Sequence, residues 1–325
     1  MMLPLYVAHA VTLAFAWFLL VNVLVSVLVA LAVTRCADAR PTSAGFWFVM
    51  RLSPAIVATF FVAALFLPSY WKYEPRDAAE GVDVTLAALA FAAVVMVACA
   101  AGRGACAWWQ AWRRVRAWMR GARAFASNGH PALPIPAFEI DGPMPMMALA
   151  GIVRPRLFVA RALVSTLTDD ELDATVAHEI GHWRAWDNLK RLAIRSAPDL
   201  LVLTPAARRI ERRWASAAEH SADQIGDGAN PAARCALASA LVKVARLMPE
   251  HGLMREPISA LVGGGEIASR VERLLDDRAS ARDHNRRPTG RVALTVIGAA
   301  LAVVAYGPLL HAVHDATEVL VRSLP

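Results

Sequence analysis

His178, Glu179 and His182 stand in the pattern His-Glu-x-x-His. If that segment is helical, imidazoles four residues apart lie on one face and can share a single tetrahedral zinc ion. The glutamate between them can then take a proton from a water beside the ion. A catalytic zinc takes three protein ligands and leaves its fourth position open. A histidine six residues after His182 would supply the third, but Asn188 stands there and Ala185 replaces the customary glycine. Asp187 lies about 180° around a continuous helix from His178, which sets it aside. Glu219 and Asp223 occupy i and i+4 of a later segment. Glu219 completes a two-histidine, one-glutamate site for one Zn2+ per chain, and Asp223 accepts a hydrogen bond from the outer nitrogen of a ligand histidine, His178 in preference. His220 points about 100° away from Glu219 and reads as a surface residue. Glu179 is the general base, and Arg270 is the candidate stabiliser of the oxyanion, its competing reading being an exposed helical arginine.

Several elements must position these groups. Thr168 and Glu171 form a capping box ahead of an apolar face of Leu172, Val176 and Ile180, so the motif opens a helix. Pro198 and Pro205 interrupt the pattern, and a second helix is expected from about 205 to 225, a third over 232–248 and a fourth over 266–278 after a glycine turn at 263–265. The proline-rich stretch from Pro131 to Pro145 reads as an extended linker with short strands, the best candidates being 135–140 and 156–160. The second strand is expected to bind a peptide by accepting it as an additional strand.

Hydrophobic residues make up 57% of the 325 and charged ones 19%, with a mean hydropathy of +0.42, which excludes an ordinary soluble enzyme. Residues 1–34, 52–71, 84–102 and 292–314 carry no Asp, Glu, Lys or Arg, and each run is long enough to cross about 30 Å of hydrocarbon. The first lacks a basic start and exceeds the length of a signal-peptide core, so it is expected to be retained. Arg35, Arg40 and Arg51 follow the first span, and six arginines from Arg103 to Arg123 follow the third. The segment between the second and third is acidic. By the positive-inside rule both termini are outside and the central region is cytoplasmic, in a bacterial inner membrane. Arg286, Arg287 and Arg291 agree. Trp108, Trp109, Trp112 and Trp118 alternate with the arginines, so the net charge of +7 reads as affinity for the lipid bilayer, with no direct nucleic acid binding. Cys36, Cys99, Cys106 and Cys235 lack metal-knuckle spacing and are expected as buried or inert thiols. The spans offer no mid-membrane ionisable residues, which argues against a transporter.

The expected architecture is mainly α, a multi-pass membrane protein with four transmembrane helices and a small α+β zinc peptidase domain. Residues 1–102 hold three spans (about 5–33, 46–71 and 83–102) and 103–130 a basic, Trp-rich juxtamembrane helix. Residues 131–290 form the peptidase domain, 291–314 the fourth span and 315–325 a short outer tail.

The run from Gly151 to Ala160, the Leu167 to Leu172 segment, and the His-Glu-x-x-His with Asp187 and Asn188 behind it together resemble the membrane metallopeptidases of the beta-lactam sensor-transducer (BlaR/MecR) type. Pro205, fourteen residues ahead of Glu219, and the Glu-x-x-x-Asp pair also match. The resemblance spans about residues 100–280. It implies a gluzincin domain on the cytoplasmic side between the third and fourth spans, and a protein or peptide substrate such as a cytoplasmic transcriptional repressor. Those sensor-transducers carry a penicillin-binding domain after the last span, where about eleven residues stand here, so antibiotic sensing by that route is not implied. The three-plus-one layout of spans decides for this resemblance over the heat-shock and CAAX-prenyl membrane proteases, of which the heat-shock type has two spans before the domain. Those proteases share both motifs, however, and Glu219-His220-Ser221-Ala222-Asp223 resembles theirs at least as much. A quality-control protease therefore stays open, as does a signalling protein with a vestigial zinc site, which an intact Glu179 argues against. Nothing in the chain indicates its oligomeric state.

Overall fold

Three helical segments are long and apolar enough to cross a bilayer: Pro4–Arg35, Ala44–Tyr73 and Val84–Met119. The structure is a computed structural model that describes residues 2–35, 43–75, 83–125, 133–141, 146–227, 230–247, 259–260, 267–276 and 291–323. The glycine turn at 263–265, Arg286, Arg287 and Cys36 lie outside the described residues. Helix α1 (Met2–Arg35) has no interruption. Helix α2 (Ala44–Phe60) starts at Ser43, whose side chain accepts from the Phe46 N–H, and passes through a π-helical segment (Phe61–Phe66) into α3 (Leu67–Tyr73). Pro68 lacks the amide that would serve the Ala64 carbonyl, and the Tyr306 hydroxyl donates to that carbonyl at 2.8 Å.

Helix α4 (Val84–Met119) begins at Asp83, whose carboxylate accepts from the Thr85 N–H. The helix expected over 103–130 is its continuation only as far as Met119, so the third apolar run leads without a break into the basic stretch, and Arg123–Ala124 is strand rather than helix. Trp108, Trp109 and Trp112 are exposed, with Arg113 and Arg116 over the rings of Trp109 and Trp112. Trp118 instead packs edge-on against Phe158 in the core of the next domain.

That domain contains a five-stranded sheet of order β1-β2-β4-β3-β5: β1 Arg123–Ala124, β2 Ala137–Ile140, β3 Met147–Ala150, β4 Arg156–Ala160 and β5 Ser259–Ala260. Only β2 and β4 run parallel. The expectation that 156–160 accepts a substrate strand is corrected: β4 pairs with β2 on one side and β3 on the other, so both of its backbone edges are used. Against the sheet pack α6 (Asp169–Arg184), α9 (Pro231–Leu247) and α10 (Ile267–Leu275), after a one-turn α5 (Arg161–Val164). Helix α7 (Asp187–Arg195) and a short 3-10 turn (Leu200–Leu203) lead to α8 (Pro205–Asp227).

The first half of α8 packs on α1 and α2 through Ala206, Ala207, Ile210 and Trp214 against Val29, Val33 and Trp47. Helix α11 (Arg291–Ser323) is longer than the expected fourth span and continues through most of the expected tail. Its second half touches α3 and the π-helical segment. Cys99, Cys106 and Cys235 are free, and they are exposed rather than buried, the first of the two states expected for them.

Candidate metal centre

The Thr168 capping box forms as the sequence requires. The Thr168 N–H donates to Glu171 at 2.8 Å and the Glu171 N–H to Thr168 Oγ1 at 3.4 Å. Glu171 also accepts from Ser239 at 2.6 Å and Lys243 at 2.7 Å, which ties the start of α6 to α9. Burial alone would raise its pKa, but these donors outweigh burial and hold it at about 2.

One turn of α6 then presents His178 and His182, both fully buried, with ring centroids 4.8 Å apart and nearly perpendicular. Helix α8 comes close enough to join them because residue 181 is glycine. A Cβ there would stand 3.1 Å from the Ala222 Cα and 3.2 Å from its carbonyl oxygen. Glu219 consequently lies 3.6 Å from His178 Nε2 and 3.5 Å from His182 Nε2. Two donors about 2.05 Å from a tetrahedral ion are about 3.3 Å apart, so these separations suit one small cation. Both Nε2 atoms are buried and make no hydrogen bond, an arrangement that costs free energy unless an ion takes them up.

Each outer nitrogen faces a carboxylate. His178 Nδ1 is 3.0 Å from Asp223 Oδ1, the partner expected from the sequence, and His182 Nδ1 is 2.7 Å from Asp187 Oδ2. Asp187 corrects the helical-wheel argument. The motif helix ends at Arg184, and Trp186 adopts φ 58°, a left-handed conformation that costs a side-chain-bearing residue about 1–2 kcal/mol. That turn brings Asp187 back beneath His182, where it orients the ring without being a candidate ligand. Asn188 follows and donates to the carbonyls of Leu149 (2.9 Å) and Gly151 (3.1 Å), tying α7 to the end of β3. Gly151 is needed at that corner, since its φ is +99° and a Cβ would meet the Arg154 oxygen at 2.7 Å.

Glu179 is buried beside the histidines. Leu149 N–H of β3 donates to its Oε2 at 3.2 Å, while its Oε1 has no partner. Burial pushes its pKa up. Burial would lower that of His182, but Asp187 and Glu219 prevail and push it up to about 10. Glu219 is held well below the carboxylate range by the two imidazoles despite burial. The shifts of His182 and Glu219 share one cause, the attraction between the imidazoles and the Glu219 carboxylate.

Arg270 is buried rather than exposed. Its Nε and Nη2 donate to Asp223 at 3.1 and 2.6 Å, and its Nη1 stands 3.0 Å from Glu219 Oε2. It braces Glu219 and Asp223 of α8 from α10. His220 is partly exposed and lies 3.3 Å from Gln224.

Residues 116–248 match the model of peptidase family M48. The match runs from the last turn of α4 through α9 and includes every group of the centre except Arg270. None of the curated proteins matches the chain. The family match supports a hydrolase of the metal-dependent protease kind, the three apolar helices are compatible with a membrane, and His178, His182 and Glu219 form a group that could hold the metal.

Proposed function

We propose that the chain is a zinc endopeptidase of a bacterial inner membrane, cutting a cytoplasmic protein or the exposed part of a membrane protein. The observation that carries this reading is the pair of buried, unpartnered imidazole nitrogens aimed at Glu219, with the free oxygen of Glu179 beside them. Zinc, when bound there, supplies Lewis acidity toward a carbonyl and lowers the pKa of water toward about 7. Glu179, held by the Leu149 amide, takes the proton from the attacking water and returns it to the leaving amine. Asp187 and Asp223 hold the imidazoles in the tautomer that leaves Nε2 free for the ion. Arg270 acts chiefly as a brace on Glu219 and Asp223, because its donors point at those carboxylates. Its expected part in oxyanion stabilisation has no further support.

Beside His182 and Asp187 lies a cavity of about 120 Å³, walled by Val153, Pro155, Trp186 and Leu189, mostly apolar and open to solvent. It suits a large apolar substrate side chain next to the bond that is cut. The arginine clusters that follow the first and third spans favour a cytoplasmic active site. The sensor-transducer resemblance favours a repressor as substrate. The acidic motif on α8, shared with heat-shock and CAAX-prenyl proteases, favours membrane-protein quality control as the second reading.

The full chain purified in detergent should contain one tightly held zinc by elemental analysis and hydrolyse an apolar fluorogenic peptide. Glu219→Ala should lose both. Full zinc and activity in that variant would overturn the assignment of the third ligand.

A further inference from the structure

A second convergence of metal-binding side chains lies at the other end of the α2–α3 span. Glu74 ends α3, where the chain turns extended and its N–H donates to the Tyr70 carbonyl at 3.0 Å. His314 and Glu318 stand one turn apart on α11, on the same face, by the spacing logic that pairs His178 with His182. One ligand atom from each of the three lies within 4.8 Å of the others, and His314 Nδ1 is 4.0 Å from Glu74 Oε2. Tyr73 orients this face: its ring stacks on His314 at 5.6 Å and meets His311 at 5.3 Å. Two further charges border the group, Lys72 over the Tyr73 ring and Arg322 at 3.1 Å from Glu318.

We propose that Glu74, His314 and Glu318 form a second divalent-cation site, separate from the peptidase centre, which clamps α11 to α3. One imidazole and two carboxylates form a mixed nitrogen and oxygen donor set suited to zinc and its first-row neighbours. The site contrasts with the peptidase centre in two respects. Its side chains retain 11 to 33% of their exposure, and His314 Nδ1 and Glu74 Oε2 stand 4.0 Å apart where coordination wants about 3.3 Å. An ion must therefore draw α11 toward α3 by a fraction of an ångström, and it exchanges with solvent. The site is weaker than the peptidase centre and responds to the metal concentration around it. Helix α3 continues α2, whose Arg51 binds Asp199 and Glu211, and Glu211 lies on α8, the helix that carries Glu219.

The test is calorimetric titration of the full chain in detergent with Zn2+ after the peptidase centre has been loaded. Wild type should take up one further equivalent, at least tenfold weaker than the first. His314→Ala and Glu318→Gln should each lose it while keeping the first equivalent, and His311→Ala should keep both. A variant that also loses the first equivalent has failed to fold, and Glu318→Gln, at a half-exposed position, then decides. Absence of the further equivalent in wild type, or its survival in the His314→Ala/Glu318→Gln double variant, overturns the proposal.

Discussion

Two polar clusters are buried along α8, and they are built on opposite plans. Near its start, Arg51 of α2 is 1% exposed and donates to Asp199 at 2.7 Å and to Glu211 at 3.0 Å. Asp199 also receives the Val202 amide, Asn22 of α1 donates to the Pro198 carbonyl at 2.8 Å, and Arg103 of α4 donates to the carbonyls of Arg195 and Ala197. This cluster is closed, since each named donor has its acceptor. Eight residues beyond Glu211, about 12 Å along the helix, the buried cluster around Glu219 keeps imidazole nitrogens, the Nε2 atoms of His178 and His182 among them, and Glu179 Oε1 without hydrogen-bond partners. A closed network fixes geometry, and one with converging vacant atoms is built to receive something. The first ties α8 and the segment before it to α1, α2 and α4, and the second is the candidate metal centre.

The sharpest way to break that distinction is to change one unpartnered atom. Glu179→Gln removes a base while preserving shape, so hydrolysis should fall by about 10²–10⁴ with metal content and thermal midpoint unchanged. A comparable fall from a variant of the closed cluster that still binds metal would erase the difference between the two regions.

Next in size is Arg51→Ala. Asp199 has no exposed surface in its side chain, and losing its cation should cost about 3–5 kcal/mol. That is a large fall in unfolding midpoint, with one zinc still bound in the protein that remains folded. Arg51→Met combined with Asp199→Asn should recover most of the loss, because a buried pair replaced by neutral groups of similar size is close to neutral. An unchanged midpoint in Arg51→Ala would mean that the domain does not depend on this latch.

The two regions also differ in how far the sequence announces them. The open cluster leaves a periodic trace: His178 and His182 one turn apart behind a capping box, then Glu219 and Asp223 one turn apart on the next long helix. Asp187 escaped because a wheel drawn through residues 178–188 assumes unbroken helix, and one left-handed residue at Trp186 invalidates it. The signal available was the resemblance itself, which included Asp187 and Asn188. The closed cluster leaves no trace, since Arg51 and Asp199 are 148 residues apart and an arginine at a span's edge reads as a topology marker. The place of 156–160 in the sheet was hidden for a similar reason. Its strand character is local, whereas its neighbours β2 and β3 are set by pairing across the chain. The burial of Arg270 depends on α10 meeting α8, which neither helix encodes alone.

A middle-sized effect separates ligands from the groups behind them. Asp187→Ala and Asp223→Ala should each weaken zinc about 10 to 100-fold, measured by competition with a chelator, because the rings lose orientation but remain present. If Asp187→Ala left affinity unchanged, the left-handed turn at Trp186 would have no purpose at the centre.

The smallest predicted effect concerns a third cluster, around Glu171, and asks whether closure alone marks a structural role. Glu171 sits two turns before His178 on the same helix but is fully engaged with Thr168, Ser239 and Lys243. If the distinction holds, Glu171→Gln costs about 1 kcal/mol of stability through the weakened cap and leaves zinc affinity and turnover untouched. The pH dependence carries the sign. The folded pKa of about 2 lies below the ordinary glutamate value of 4.5, so the carboxylate's contribution is complete above about pH 4.5 and is lost as pH falls toward 2. Wild type and Glu171→Gln should therefore differ in urea midpoint at pH 6 and converge as pH approaches 2. A gap that stayed constant with pH would assign the stabilisation to the shape of the side chain rather than its charge. A loss of zinc at pH 6 would show that proximity to the motif, and not the closure of the network, decides which polar groups serve the metal.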